Sequence, residues 1–147
     1  MGKIKSITLC SSVSFYRRGL EIEKLFKERG LKVFVEHTAR VMEKTGNWNV
    51  SSYKGWYKDS KLFREKAQLM IRHFRAIEKG DAILVINLEK KGIAGYIGGN
   101  VLMEMAIAFY LKKKIFLLNP VSKKSQLYEE IMGVLPIILN GNLSRIK

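Results

Sequence analysis

Cysteine is nearly absent: Cys10 is the only one in 147 residues, so no disulfide can form within the chain. A chain that folds without such staples reads as a protein of a reducing, cytoplasmic compartment. Proline is scarce too, at 2 residues, and with 47% apolar content this argues against a disordered chain. No apolar run reaches the roughly 18 to 20 residues that span a bilayer. The opening MGKIKS lacks the apolar centre of a signal peptide. Acidic residues are few: 13 Asp and Glu face 27 Lys and Arg, a formal charge of +14. Such a field favours anionic partners, small phosphorylated molecules or nucleic acid. Much of the surplus lies in segments such as KLFKERGLK and LKKKI, which read as solvated helix faces and ends. No zinc-finger spacing or RNA-binding aromatic motif accompanies it, so nothing beyond charge points to a nucleic-acid surface. Walker A and GxGxxG patterns are missing, and His37 and His73 stand too far apart to suggest a metal pair. The expectation is a site that works without metal or cofactor.

What remains alternates between strand and helix signals. Strand-like runs lie at 3–10, 31–36, 81–87, 114–119 and 136–140. DAILVIN (81–87) is continuously apolar, as a strand covered on both faces should be. Helical periodicity runs over 15–29, where Gly30 ends it, and over 60–79 with Ser60 as its expected N-cap. A third helix begins near Gly98, and a short one is expected at about 124–132. Residues 37–59 hold turn residues and aromatics without a clear period, and read as a long loop or lid.

This alternation predicts a single α/β domain over 1–147, a three-layer sandwich with a five-stranded parallel sheet. The expected order is 2-1-3-4-5, as in flavodoxin-like and Rossmann-like folds, with the ligand crevice at the carboxyl ends of strands 1 and 3. That rim carries SSVS (11–14) and YIGGN (96–100).

Beyond YIGGN, the fifteen residues from Ile97 to Leu111 hold one charged side chain, Glu104. A carboxylate in so apolar a helix needs an offset for its desolvation. Two readings fit its position. It is either an early glutamate complementing the helix dipole while its head reaches water, or an ionised nucleophile facing a cleft. The serines after strand 1 have a similar pair of readings, caps or contacts to a sugar or phosphate. Cys10 has no obvious base beside it and reads as a core thiol, and Asp81 as a turn residue.

The segments ITLCSSVSFYRRG, GDAILVIN, GYIGGNVLMEMAIAFYLKKKIFLLNP and ILNGNL together resemble the nucleoside 2-deoxyribosyltransferase-like proteins. The resemblance is strongest to a branch of small bacterial and archaeal members, and it spans nearly the whole chain outside 37–59. It implies homodimers or higher oligomers that complete one another's sites. It also implies cleavage of an N-glycosidic bond in a deoxynucleoside or its 5′-monophosphate, by deoxyribosyl transfer or hydrolysis. Glu104 matches the glutamate that attacks C1′. Ser11, Ser12 and Ser14 match the loop that holds sugar or phosphate, and Arg17 is placed to meet a 5′-phosphate. Gly98, Gly99 and Asn100 match the Gly-rich substrate loop. The chain departs from its relatives where they place an acid upstream of the third strand: Gln68 and His73 occupy that helix, and Asp81 lies at the strand's other end. A nucleophile without its acid leaves a second reading open, a nucleotide-binding or sensor domain without turnover. A third, a basic nucleic-acid-binding protein, rests on charge alone.

Overall fold

The computed structural model describes residues 2–147. Its five strands are β1 (Ser6–Cys10), β2 (Lys32–Phe34), β3 (Ala82–Val85), β4 (Lys114–Leu117) and β5 (Ile137–Ile138). All pair in parallel in the order β2-β1-β3-β4-β5. The expected flavodoxin-like, Rossmann-like fold is the observed one.

Alternation along the central strands divides the core in two. Ala82 and Leu84 of β3 join Ile7, Leu9 and Phe116 on the face covered by Ile22 and Phe26 of α1 (Tyr16–Glu28). Ile83 and Val85 point the other way, toward Ile77 of α3 (Phe63–Lys79) and Met105 of α4 (Gly99–Tyr110). That second face also receives Ile131 of α5 (Tyr128–Gly133). All four β3 side chains are fully buried, which explains their uninterrupted apolar run. Each Leu or Ile so buried is worth about 1.5–3 kcal/mol. Gly30 adopts φ 82° and closes α1 as expected.

The 37–59 segment differs from its reading as a loop. Residues His37–Thr45 form α2, which buries Ala39 and Met42 against Tyr16 and ends at Gly46 with φ 70°. The period was short and its apolar stripe only two residues deep, too little to rise above the surrounding turn signals. Two 3-10 turns, Val50–Tyr53 and Gly55–Tyr57, carry the chain onward. The next helix also starts differently: Asp59, not Ser60, caps a 3-10 turn by accepting from the Lys61 amide, and α3 proper begins at Phe63.

The carboxyl rim is braced by a reciprocal asparagine pair. Asn87, after β3, accepts from the Asn119 amide at 3.0 Å and donates to the Asn119 carbonyl at 2.8 Å, while Asn119 Nδ2 donates to the Asn87 carbonyl. Gly95 completes this brace. With φ 64° and a would-be Cβ that would collide with the Pro120 carbonyl oxygen, it admits no side chain. At the opposite end, Asp81 accepts from the amides of Lys5 and Ser6 at 2.8 and 2.9 Å. Asp81 therefore joins β1 to β3 at the amino rim, as a turn residue would. No helix among the described residues is long and apolar enough to cross a membrane.

Candidate functional site

A cleft of about 830 Å³ opens at the carboxyl ends of β1 and β2 and runs beside α3. Ser11, Ser12, Gly98, Gly99, Asn100 and Glu104 all line it. These six candidates, drawn from two distant segments, are brought together by the crossing from β1 to β3. Ser14 and Arg17 do not line the cleft. Ser14 is exposed in the 3-10 turn Val13–Phe15, and Arg17 lies over the Trp48 ring, 5.2 Å from its centroid.

Gly98 is the N-cap of α4, so Glu104 falls in the second turn rather than the first. Asn100, one turn earlier on the same face, donates Nδ2 to Glu104 Oε1 at 3.3 Å. Glu104 Oε2 and Asn100 Oδ1 are buried with no hydrogen-bond partner. Unpartnered buried polar atoms are costly and scarce in folded proteins, and here two of them belong to residues that line one cleft. Glu104 as a whole is 1% exposed. Burial pushes its carboxyl up to about 8, against smaller opposing effects from the Cys10 thiol and the Lys66 ammonium. The helix dipole fades beyond the first turn, so it does not offset this loss of water. Burial therefore favours the protonated form of Glu104 at neutral pH, where one of the two sequence readings had an ionised nucleophile.

A second carboxyl, missed in the sequence, shares the floor. Glu36 follows β2 and sits at the N-cap position of α2, its side chain only 12% exposed. Its Oε1 accepts from the Ser11 amide at 3.4 Å. Burial raises its pKa well above the ordinary value and the charge of Glu104 raises it further, while the Ser11 N–H and Lys66 pull the other way. Glu36 went unnoticed because it ends a strand and opens the segment read as a loop.

Between the two carboxyls lies His73 of α3, 6% exposed. Its Nε2 is 2.9 Å from the Leu9 carbonyl, 3.7 Å from Glu36 Oε1 and 4.0 Å from Glu104 Oε1. A carbonyl only accepts, so Nε2 carries a proton and donates it to Leu9. Burial holds the imidazole pKa down to about 4, so the ring is neutral and forms no ion pair with either glutamate. Cys10 Sγ is 3.6 Å from the same nitrogen. The thiol thus does have a neighbour, although burial raises its pKa well above the free value and Glu104 and Glu36 add to that. Cys10 remains an inert core thiol.

Cys10, His73 and Glu104 offer ligand atoms within 4.8 Å of one another. The set does not suit a metal, since the histidine nitrogen that faces the other two is already protonated and committed to Leu9.

The outer cleft is basic. Lys90 Nζ donates to Ser12 Oγ at 2.8 Å, and its pKa is lowered by burial, then by Lys54 and Lys91. Lys66, Arg72 and Arg75 of α3 line the wall. Trp56 and Tyr57, from the segment after α2, supply aromatic surface to the same cleft. No family model matches the chain, and no curated protein matches it.

Proposed function

We propose that the protein cleaves the N-glycosidic bond of a deoxynucleoside or deoxynucleoside 5′-monophosphate, by transfer or hydrolysis, with Glu104 as nucleophile. The observation that carries this reading is the buried Glu104 carboxyl on the floor of a large cleft, with one oxygen unpartnered. A carboxylate there attacks C1′ of a sugar whose ring rests against Gly98 and Gly99, where short residues let it approach the backbone. Asn100 steadies Oε1 and leaves Oε2 for the attack. Ser12 and Lys90, with Lys54 and Lys91 adding positive field, suit a 5′-phosphate better than Arg17, which stacks elsewhere. Trp56 and Tyr57 offer faces on which a base stacks.

One observation favours a second reading, a nucleotide-binding or sensor domain. With its pKa near 8, Glu104 is mostly protonated at neutral pH, and a neutral carboxyl is a ligand donor before it is a nucleophile. Base release from a panel of deoxynucleosides and their monophosphates, with and without an acceptor base, separates the two. The glycosidic reading expects release that Glu104→Gln abolishes while nucleotide binding persists. Clear calorimetric binding with no release from any substrate favours the sensor instead.

The proposed assembly is a homodimer or larger homo-oligomer. Met103, Phe109 and Tyr110 of α4 are 43%, 49% and 83% exposed, an uncharged face on a chain of net charge +14. A second copy covers such a face without bringing cations against it. Light scattering at tens of micromolar checks this; a mass of 16.9 kDa excludes it.

A further inference from the structure

We infer that Glu36 is the catalytic acid of this cleft, donating the proton that lets the base depart and later taking one from the attacking water or acceptor. The inference rests on the glycosidic reading of Glu104 and supplies the group that the sequence lacked. Its ground is placement. Glu36 and Glu104 come from opposite sides of the switch point, yet each has an oxygen within 4.0 Å of the same His73 nitrogen. Both line the one cleft, and both are shielded from bulk water. His73 cannot itself be the acid, because its only inward proton is held by the Leu9 carbonyl and the ring does not charge near neutrality. Asp59 caps its own 3-10 turn, and Asp81 is bound to the amino rim, so neither is free to serve.

The reaction needs one carboxylate and one carboxylic acid at the same moment. Two like-charged groups in a dry site divide one proton between them, and the environment decides which keeps it. Burial raises both carboxyls and the charge of Glu104 raises Glu36 further, while Lys66 lowers both, the Ser11 N–H lowers Glu36 and the Cys10 thiol lowers Glu104. The glycosidic reading takes Glu104 as the carboxylate, and its charge then favours keeping the proton on Glu36. The groups facing Glu36 are Glu104 of α4, His73 and Lys66 of α3, and Cys10 and the Ser11 amide at the end of β1. His37 and Arg40 follow on its own helix, and Arg40 is engaged with Glu23 and Glu43.

In the first step a Glu104 carboxylate oxygen bonds to C1′ as the C1′–N bond breaks. The bonding pair stays on the base nitrogen, and the proton of Glu36 passes to the base. In the second step water, or the N–H of an acceptor base, attacks C1′ and gives its proton to the Glu36 carboxylate. The ester bond to Glu104 breaks, and both carboxyl groups return to their starting states. No oxidant or further reactant enters.

The test compares leaving groups. Wild type, Glu36→Gln and Glu104→Gln are assayed on the deoxynucleosides and on a 4-nitrophenyl 2-deoxyriboside, whose phenolate departs without a proton. Glu36→Gln should lower base release by about 10²–10⁴-fold and nitrophenolate release by less than tenfold. Glu104→Gln should stop both. Equal losses of base and nitrophenolate in Glu36→Gln, or base release that Glu36→Gln leaves unchanged, overturn the role of Glu36 while leaving Glu104 its own. A wild type that releases neither group ends the glycosidic reading and Glu36's role together. Should Glu36→Gln fail to fold, Glu36→Asp makes the same comparison. It keeps an acid one methylene short, so base release should fall at least tenfold further than nitrophenolate release, and equal falls overturn the assignment.

Discussion

Two glutamates of this chain are almost wholly buried and have opposite fates. Glu23 of α1 is 4% exposed and Glu104 of α4 is 1% exposed. Around Glu23, burial raises the pKa, but hydrogen bonds from Arg40 and Lys27 outweigh it and the net shift is downward. Arg40 reaches it with both Nη atoms from α2, and Lys27 stands 3.2 Å away one turn along α1. Glu104 has an amide, a thiol and a more distant ammonium instead, and burial wins. The difference teaches that depth alone does not set the protonation of a glutamate. A buried carboxylate that is fully paired holds two helices together, and one left partly unpaired at a cleft is available for chemistry.

The largest expected effect tests that contrast directly. Glu104→Gln should reduce base release by at least about 10³-fold, since the amide keeps the shape and removes the proposed nucleophile. Glu23→Gln should leave the turnover of the folded protein within about twofold. Loss of turnover in both, with both folded, would break the comparison.

Stability should show the reverse order. Glu23→Ala leaves Arg40 without its main partner and should cost roughly 2–4 kcal/mol, read from urea unfolding. A Glu23→Met, Arg40→Met double variant should recover most of that loss, because apolar packing replaces the pair. No recovery would mean that the two charges do more than join α1 to α2.

Glu104→Gln should instead stabilise the protein, in a pH-dependent way. The Glu104 carboxyl binds its proton more tightly when folded than when unfolded, so the native state holds the extra proton between the usual carboxylate range and about 8. Stability must therefore fall as pH rises across that window and level off above it. Removing the group should raise Tm by on the order of 5 °C at pH 8.5 and by little at pH 4. A gain independent of pH would place the cause in packing rather than ionisation.

The smallest effect concerns Lys66, a cation that bears on both site carboxyls. Lys66→Met should move the acid limb of the activity profile upward by about half a pH unit, because an opposite charge is withdrawn. A downward shift would show that Lys66 acts through position and not through its field.

How much of this was readable beforehand follows the range of the forces involved. The continuous apolar runs of β3 and β4 and the Gly30 stop depend on local pattern, and the sheet order follows from right-handed crossovers between such strands. Glu104 stood out because Ile97–Leu111 has no other charge. Ser11, Ser12, Gly98, Gly99 and Asn100 could be gathered at one rim because parallel strands all end there. Helix α2 was hidden by its brief period, and with it the partner that neutralises Glu23.

By itself, then, the sequence determined a three-layer α/β fold and a lone carboxyl on a helix at the carboxyl rim of the sheet, since both are written in the spacing of apolar residues. Only the tertiary structure decided what that carboxyl faces. Cys10, Glu36, His73 and Glu104 are far apart in the chain, and their meeting depends on the side-by-side placement of β1 and β2 and on the packing of α3 against β1 and α4. Protonation was decided there as well, because a pKa answers to the water excluded and the charges brought near, and neither quantity exists until the chain has closed around the site.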